Sequence, residues 1–255
     1  MPNWVRNRIE IEGKNINKIF ARLSSKDEEG HKISVDFNKI TPMPNELYII
    51  SGSITESCKK LFLHSIQGNE DFDKYLAVTV KNDEKYISMS DDEYKKLLED
   101  SLKYTEFPSN EPKFQTEKEI LDYGKLALDN ILNYGAQDWY KWSIANWGTK
   151  WNASESKCRN NVISFETAWD PVVELFAKFS KEFPDNIFNY SFSDEQVCQY
   201  CGEFKIQNGE VIGRVYESES NEAFEKGFEL WPGTSKYFKF NKKKNCYERA
   251  DSNME

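Results

Sequence analysis

The chain is poor in the features that announce a membrane, a secretory path or a catalytic centre. It has no apolar run of about 18 residues, so no transmembrane helix is expected. Its opening, Met1-Pro2-Asn3-Trp4, lacks the basic-then-apolar pattern of a signal peptide. Cysteine is sparse and odd in number, five in 255 residues. That fits free thiols in a reducing, cytoplasmic compartment better than a disulfide framework. Histidine is scarcer still, at two. His31 sits in a charged loop, and His64 lies on a helix with apolar neighbours, where a packed boundary residue fits better than a general base. No G-x-S-x-G, phosphate-loop or HExxH string occurs. Cys198-Gln199-Tyr200-Cys201 has CxxC spacing, yet Cys158, Cys246, His31 and His64 are scattered singles, so a four-ligand zinc site has no second pair. A redox CxxC should open a helix, whereas this one lies between two predicted strands. Carboxylates such as Asp27-Glu28 and Asp91-Asp92 fall in solvated runs, without the burial that shifts a catalytic pKa. Glu10, Glu12, Asp36 and Glu166 lie on predicted strands, but alternation turns some of them to the outer face. No catalytic residue, metal site or cofactor is expected, and the chain reads as non-enzymatic.

What is present is aromatic and acidic. Hydrophobic residues make up only 38%, but aromatics reach 15%, with seven Trp, thirteen Tyr and seventeen Phe. The core must therefore be built from rings more than from aliphatics. The net charge of −9 argues against a general nucleic-acid binder, whose footprint is basic. It serves solubility, or an acidic surface that docks on a basic partner.

Periodicity divides the chain. Val5, Ile9 and Ile11 alternate with polar neighbours, predicting a half-buried strand closed by Gly13. Asn15 is placed to cap a helix over 16–24, with Ile16, Ile19, Phe20 and Leu23 on one face. Ile33, Val35 and Phe37 alternate again, predicting a second strand ended by Pro42 and Pro44. From about residue 46 the pattern turns helical and acidic. Cys58, Leu61, Phe62 and Ser65 share one face, and Asp91-Asp92-Glu93 open a helix with acids at its positive end. Thr116 and Glu119 are spaced as a capping box for a helix to Tyr134, stopped by Gly135. Residues 78–89 are ambiguous, with a short strand possible at 86–89. A strand over 162–169 then leads to a helix with Asp170 as its cap and Pro171 as its first residue. Phe188, Tyr190 and Phe192 face inward from the next strand, and Asn208-Gly209 predicts a hairpin turn. Two βα units around a helical insert make one split α+β sheet, since neither part buries enough surface alone.

Two constellations could bind. Trp139, Lys141, Trp142, Asn146, Trp147, Thr149, Lys150, Trp151 and Asn152 gather four indoles and two ammonium groups within thirteen residues after Asp138. Such rings either pack the aromatic core or form a platform that stacks bases, a nucleotide or a peptide. The tail over 236–244, with five lysines among Tyr237, Phe238 and Phe240, is either a phosphate grip or an edge strand defended by lysine.

Met1-Pro2-Asn3-Trp4 with Asn7 resembles the start of the YubB-like (Api-like) family of plasmid and phage proteins. Asp36-Phe37-Asn38-Lys39-Ile40 before Pro42-Met43-Pro44, the Asn146 to Ala153 string, and Phe165-Glu166-Thr167-Ala168-Trp169 resemble its later motifs, continued by Phe183-Pro184 and Cys201-Gly202. Where the family has a Ser-Pro-Pro-like stretch, this chain has Asp170-Pro171-Val172. The resemblance covers roughly 1–45 and 138–215. It implies a ferredoxin-like α+β fold and a mobile-element origin, and it implies no established activity. The expected organisation is a core from 1–45 and 138–215, an acidic helical insert over 46–137, and an extension over 216–255. The expected function is docking on a host protein or nucleoprotein complex, including inhibition of a host defence effector, with Asp91, Asp92, Glu93, Glu99 and Asp100 facing the partner. The alternative is single-stranded nucleic-acid or nucleotide binding through the tryptophan cluster.

Overall fold

The computed structural model describes residues 3–79, 89–103 and 113–250. In chain order the elements are β1 (Trp4–Glu12), α1 (Ile16–Leu23), β2 (Ser25–Lys26), β3 (Lys32–Ile33), α2 (Ser53–Ser65), α3 (Phe72–Thr79), α4 (Asp91–Leu102), α5 (Glu117–Tyr134) and α6 (Trp139–Trp147), followed by β4 (Ser154–Arg159), β5 (Val162–Ala168), α7 (Val173–Ser180), β6 (Ile187–Asp194), β7 (Cys201–Gln207), β8 (Glu210–Val215), α8 (Asn221–Leu230), β9 (Phe238–Asn241) and β10 (Cys246–Arg249). They divide into two units, Met1–Pro42 with Ser143–Glu255, and Met43–Trp142. The tail over 216–255, set apart by sequence, groups with the sheet.

The first unit is built on an antiparallel sheet of order β4-β5-β1-β6-β7-β8. Reading β1, α1, β4, β5, α7 and β6 in turn gives β-α-β-β-α-β with strand order β4-β5-β1-β6, the ferredoxin-like arrangement. β7 and β8 extend it beyond β6. Alternation explains the faces. Val5, Asn7, Ile9 and Ile11 of β1 are buried, while Trp4, Arg6, Arg8 and Glu10 turn to the other side. On the buried face Phe165 stacks on Phe176 of α7 at 5.5 Å, Phe176 meets Tyr190 edge-on at 5.9 Å, and Phe179 meets Phe188 at 6.0 Å. A fully buried side chain of this size contributes roughly 2–3 kcal/mol before entropy is counted, so rings compensate for the shortage of aliphatics.

A polar network crosses this face. Asn7 Nδ2 donates to Thr167 Oγ1 and to Val5 O, both at 2.9 Å. Tyr190 Oη donates to Asn7 Oδ1 at 2.6 Å and accepts from Val172 N at 3.0 Å. Thr167 Oγ1 donates to Asp170 O at 2.7 Å. Asn7 and Thr167 are completely buried and Tyr190 nearly so, and burial holds the Tyr190 phenol far above its ordinary pKa. The central strand is thereby tied to both neighbours and to the entry of α7.

The opposite face is covered in part by α8. Arg6 pairs with Glu166 at 2.7 Å, donates to Leu230 O at 3.0 Å, and lies 3.8 Å over the Trp231 ring. Trp231 Nε1 donates to Ser193 O at 3.0 Å. The β9–β10 hairpin lays its rings on α8, with Phe238 and Tyr247 at 5.0 and 5.1 Å from Phe224.

Several sequence expectations need correction. Ile33, Val35 and Phe37 do not form a second long strand. Only Lys32–Ile33 is extended, and Phe37–Lys39 is a single 3-10 turn capped by the Asp36 carboxylate. The sheet partner is β4, whose Ser-Glu-Ser-Lys-Cys-Arg sequence hides the pattern because it is an edge strand. Asn15 stands at the start of α1 in the left-handed region, φ 63°, without a side-chain cap. Asp170 and Pro171 precede α7 rather than begin it, because Trp169 at φ 74° turns the chain first. The Thr116 hydroxyl caps α5, but Glu119 reaches back to Gln115 N instead of completing the box. The complete capping box belongs to Ser90 and Glu93 on α4. The suggested strand at 86–89 lies outside the described residues except for Met89. Asn208 and Gly209, at φ 47° and 86°, make the expected two-residue turn between β7 and β8.

In the second unit α2 and α5 pack backbone to backbone. A Cβ on Gly124 would stand 2.1 Å from Cys58 O, so only glycine permits this approach. Cys58 is fully buried there, and burial pushes its thiol up to about 12. Lys59, also buried, donates to Gln137 Oε1 at 2.5 Å and pairs with Glu56 at 3.0 Å. Desolvation lowers its pKa and Glu56 opposes the fall. Asn130 Nδ2 ties α5 to Glu46 O and Gln137 O at 2.8 and 3.0 Å.

Two substitutions test these contacts. Tyr190→Phe leaves Asn7 Oδ1 without its hydroxyl donor and Val172 N without its acceptor. Denaturant unfolding should show a loss of about 1–3 kcal/mol, and an unchanged midpoint would remove the network from the account of stability. Gly124→Ala improves intrinsic helix propensity by about 1 kcal/mol, yet it should still lower the thermal midpoint, because forced overpacking costs about 1–3 kcal/mol. A more stable alanine variant would contradict the close approach.

Candidate functional site

The tryptophan cluster is divided between the units. Trp139, Lys141 and Trp142 fall in the helical unit, and residues 146–152 in the sheet unit. Trp142 is buried, Trp139 is half-buried against Tyr140 at 5.7 Å, and Lys141 is exposed.

In the sheet unit most of the motif holds the loop that carries it. Trp147 is buried, edge-on to Phe37 at 5.9 Å, and its Nε1 donates to Thr41 O at 2.9 Å. Gly148 adopts φ 82° and its N–H closes the helix onto Ile144 O at 3.1 Å, the left-handed stop that favours glycine. Thr149 Oγ1 donates to Ala168 O at 2.8 Å, and Ser143 Oγ to Lys150 O at 2.8 Å. Asn152 Nδ2 donates to Asp36 Oδ1 at 2.7 Å, while its Oδ1 accepts from Phe37 N at 2.8 Å and Ala153 N at 2.9 Å. Trp147, Thr149 and Asn152 thus direct their hydrogen-bonding atoms into the fold, and Trp142 is buried.

A smaller surface remains. Trp151 is 37% exposed, its ring 6.0 Å from Trp4, with Lys150 Nζ 4.5 Å above it. Trp169, half exposed, stands at the same end of β1, its N–H bonded to Asn3 O at 2.9 Å. A bulky residue in the left-handed region is strained by about 1–2 kcal/mol, so this indole is held outward against a cost. Sequence reasoning missed Trp4 and Trp169, although period two in β1 already turns Trp4 away from Val5. Exposed Asn146 borders a groove of ≈390 Å³ whose floor is Phe192, Tyr200 and Phe204, with Leu175 and Lys178 of α7 on one wall. This groove was also missed, because it forms where β7 and β8 carry the apolar face past α7.

The titratable groups offer little reactivity. Burial raises all four shifted thiols, Cys158 and Cys201 to about 11, so they stay protonated at neutral pH. His64 stacks on Tyr94 at 4.7 Å, 3.8 Å from Asp91, and His31 is exposed beside Asp27 and Glu29. Among the described residues no three His, Cys, Asp or Glu side chains converge as a metal site. No helix among them is long and apolar enough to cross a membrane. The acids of α4, Asp91, Asp92, Glu93, Glu99 and Asp100, are all exposed. Bonds from Ser90 lower the Glu93 pKa.

No curated protein matches the chain. Among solved structures it is similar to the protein Api92 from Yersinia pseudotuberculosis, at 12% identity over 86% of this chain and 100% of that one, with a TM-score of 0.36. Residues 146–232, from the tryptophan motif through α8, match the family described as the ferredoxin-like domain in Api92-like protein.

Proposed function

We propose that the protein is a non-enzymatic binding protein, an accessory factor of a phage or plasmid, that docks through its helical unit on a basic face of a host protein or nucleoprotein such as a defence effector. One observation carries this reading. Residues 43–142 hold nineteen Asp and Glu against twelve Lys and Arg, a net −7 of the chain's −9. Asp92 and Glu99, seven residues apart, share one exposed stripe of α4, flanked by Asp91 and Asp100. Lys95, Lys96 and Lys103 share that side, so the attraction is a property of the whole unit more than of one stripe. A field of one sign steers a basic partner and speeds its arrival by about 10- to 1,000-fold at low salt. The test is the combined Asp92→Lys, Glu99→Lys and Asp100→Lys variant, its fold checked by circular dichroism. A host partner captured by the wild-type protein should bind the variant at least about tenfold more slowly and lose its salt dependence. Equal capture of that partner by both proteins at low salt would sink the proposal.

A second reading rests on Trp151 with Lys150 and Trp4, which offers a base a ring face and its phosphate an ammonium group. The open sheet face does not support the usual RNA-reading mode of such folds, which needs aromatics on the middle strands. There β1 and β5 present Arg6, Arg8, Glu10, Ser164 and Glu166, with Trp4 the aromatic residue at the end of β1. Single-stranded oligonucleotide added at low salt should quench tryptophan emission in the wild-type protein and much less in Trp151→Ala. Unchanged wild-type emission would remove this reading.

A further inference from the structure

β8 ends the six-stranded sheet, and among the described residues no strand pairs with its outer side. The Asn208–Gly209 turn closes on the Gln207–Glu210 pair. Beyond the other end of the ladder, Tyr216 N donates to Cys201 O at 2.9 Å. Hydrogen-bonded pairs alternate along an antiparallel ladder, so Glu210, Ile212 and Arg214 bond towards β7. Val211, Gly213 and Val215 therefore turn N–H and C=O outward. Soluble proteins blunt such an edge with proline, like-charged side chains, above all lysine, a bulge or a covering element, whereas the two charges here, Glu210 and Arg214, are of opposite sign. The Glu-Val-Ile-Gly-Arg-Val sequence has no proline or lysine, and every residue but Val211 is exposed. Ile212 is 70% exposed, more than any other large apolar side chain among the described residues.

We propose that this edge pairs antiparallel with β8 of a second copy of the chain, giving a two-fold dimer with one sheet continuous across both copies. The strand is self-complementary about Ile212. With Ile212 opposite its own counterpart, Val211 and Gly213 of each strand exchange main-chain bonds with Gly213 and Val211 of the other, in the phase the outward groups require. Glu210 then faces Arg214 of the second copy, and the symmetry repeats that pair. Glu210, Ile212 and Arg214 share one face of the strand, and all three fall at non-hydrogen-bonded positions, where opposed Cα atoms approach to about 4.5 Å and side chains touch. The neighbouring symmetric registers with the same bonding phase place Ile212 opposite Glu210 or Arg214, so charge and burial select one register. Arg214 already pairs with Glu222 of its own chain at 2.6 Å and lies 5.2 Å from the Tyr216 ring. With both side chains of that ion pair more than half exposed, the guanidinium keeps open donors for a second carboxylate.

Sedimentation of the full chain over a concentration series tests the pairing. The wild-type protein should pass from monomer to dimer as concentration rises, and Ile212→Lys should stay monomeric with an unchanged circular dichroism spectrum. Glu210→Arg and Arg214→Glu, each of which sets like charges face to face, should each abolish the dimer. The double variant Glu210→Arg, Arg214→Glu should restore it. A wild-type protein that is monomeric up to its solubility limit overturns the proposal. A dimer indifferent to all of these variants does so too, since it would form elsewhere. A double variant that folds but stays monomeric, beside a wild type that dimerises, also overturns it.

Discussion

The sheet unit depends on an amide in an aromatic core. Asn7 sits on the buried face of the central strand, among Ile9, Phe165 and Phe192, with Thr167, Tyr190 and Asp194 as the polar neighbours on that face. Besides Val5 O on its own strand, its amide finds Thr167 on β5 and the Tyr190 hydroxyl on β6 in the register observed. A slip of two residues would keep the apolar faces matched but strand the amide and the phenol, each at about 1–3 kcal/mol. Apolar packing thus chooses the face, and the Asn7 network chooses the register. The same hydroxyl accepts from Val172 N, so the register also sets where α7 begins. Leu175 and Lys178 of α7 line the groove together with Phe192, Tyr200 and Phe204.

The motif around Trp147 follows the same logic. Trp147 reaches Thr41, Thr149 reaches Ala168, and Asn152 reaches Asp36 and Phe37. These ties join segments far apart in sequence, and they involve the residues that make the family resemblance specific. The motif accordingly reports how the fold is held. Trp151 and the α4 acids Asp92 and Asp100 are by contrast exposed.

Legibility differed by element for physical reasons. β1, β5 and β6 were readable because one face is buried and the other wet, which prints period two into the sequence. β4 was not, because an edge strand with exposed Ser, Glu and Lys has no such constraint. The alternation of Ile33, Val35 and Phe37 came instead from a short extended pair, a connecting residue and a 3-10 turn, with Ile33 half-buried and Val35 and Phe37 buried. The helix of 116–134 was readable from Thr116 and Gly135, since caps are local chemistry. The fate of each indole was not, because α6 carries Trp139, Trp142 and Trp147, and a spacing rule cannot tell a ring that meets Phe37 from one that meets water. The acids were readable as a composition, but the lysines interleaved on the same side of α4 show their effect only once the helix is laid out.

Chains joined at β8 would carry two copies of the 43–142 unit on one particle. A partner with repeated basic sites would then meet the second copy at an effective concentration in the millimolar range for a short connection. Individually weak, salt-sensitive contacts become tight under that condition, without any new residue at the interface. This matters for a surface such as α4, where Lys95, Lys96 and Lys103 dilute the acids and exposed ion pairs are each worth about 0–1 kcal/mol. Steering by net charge and retention by pairing are separable contributions. Under the two proposals, charge reversal on α4 would act on the first through the rate of arrival, and disruption of the β8 edge would act on the second through the rate of departure.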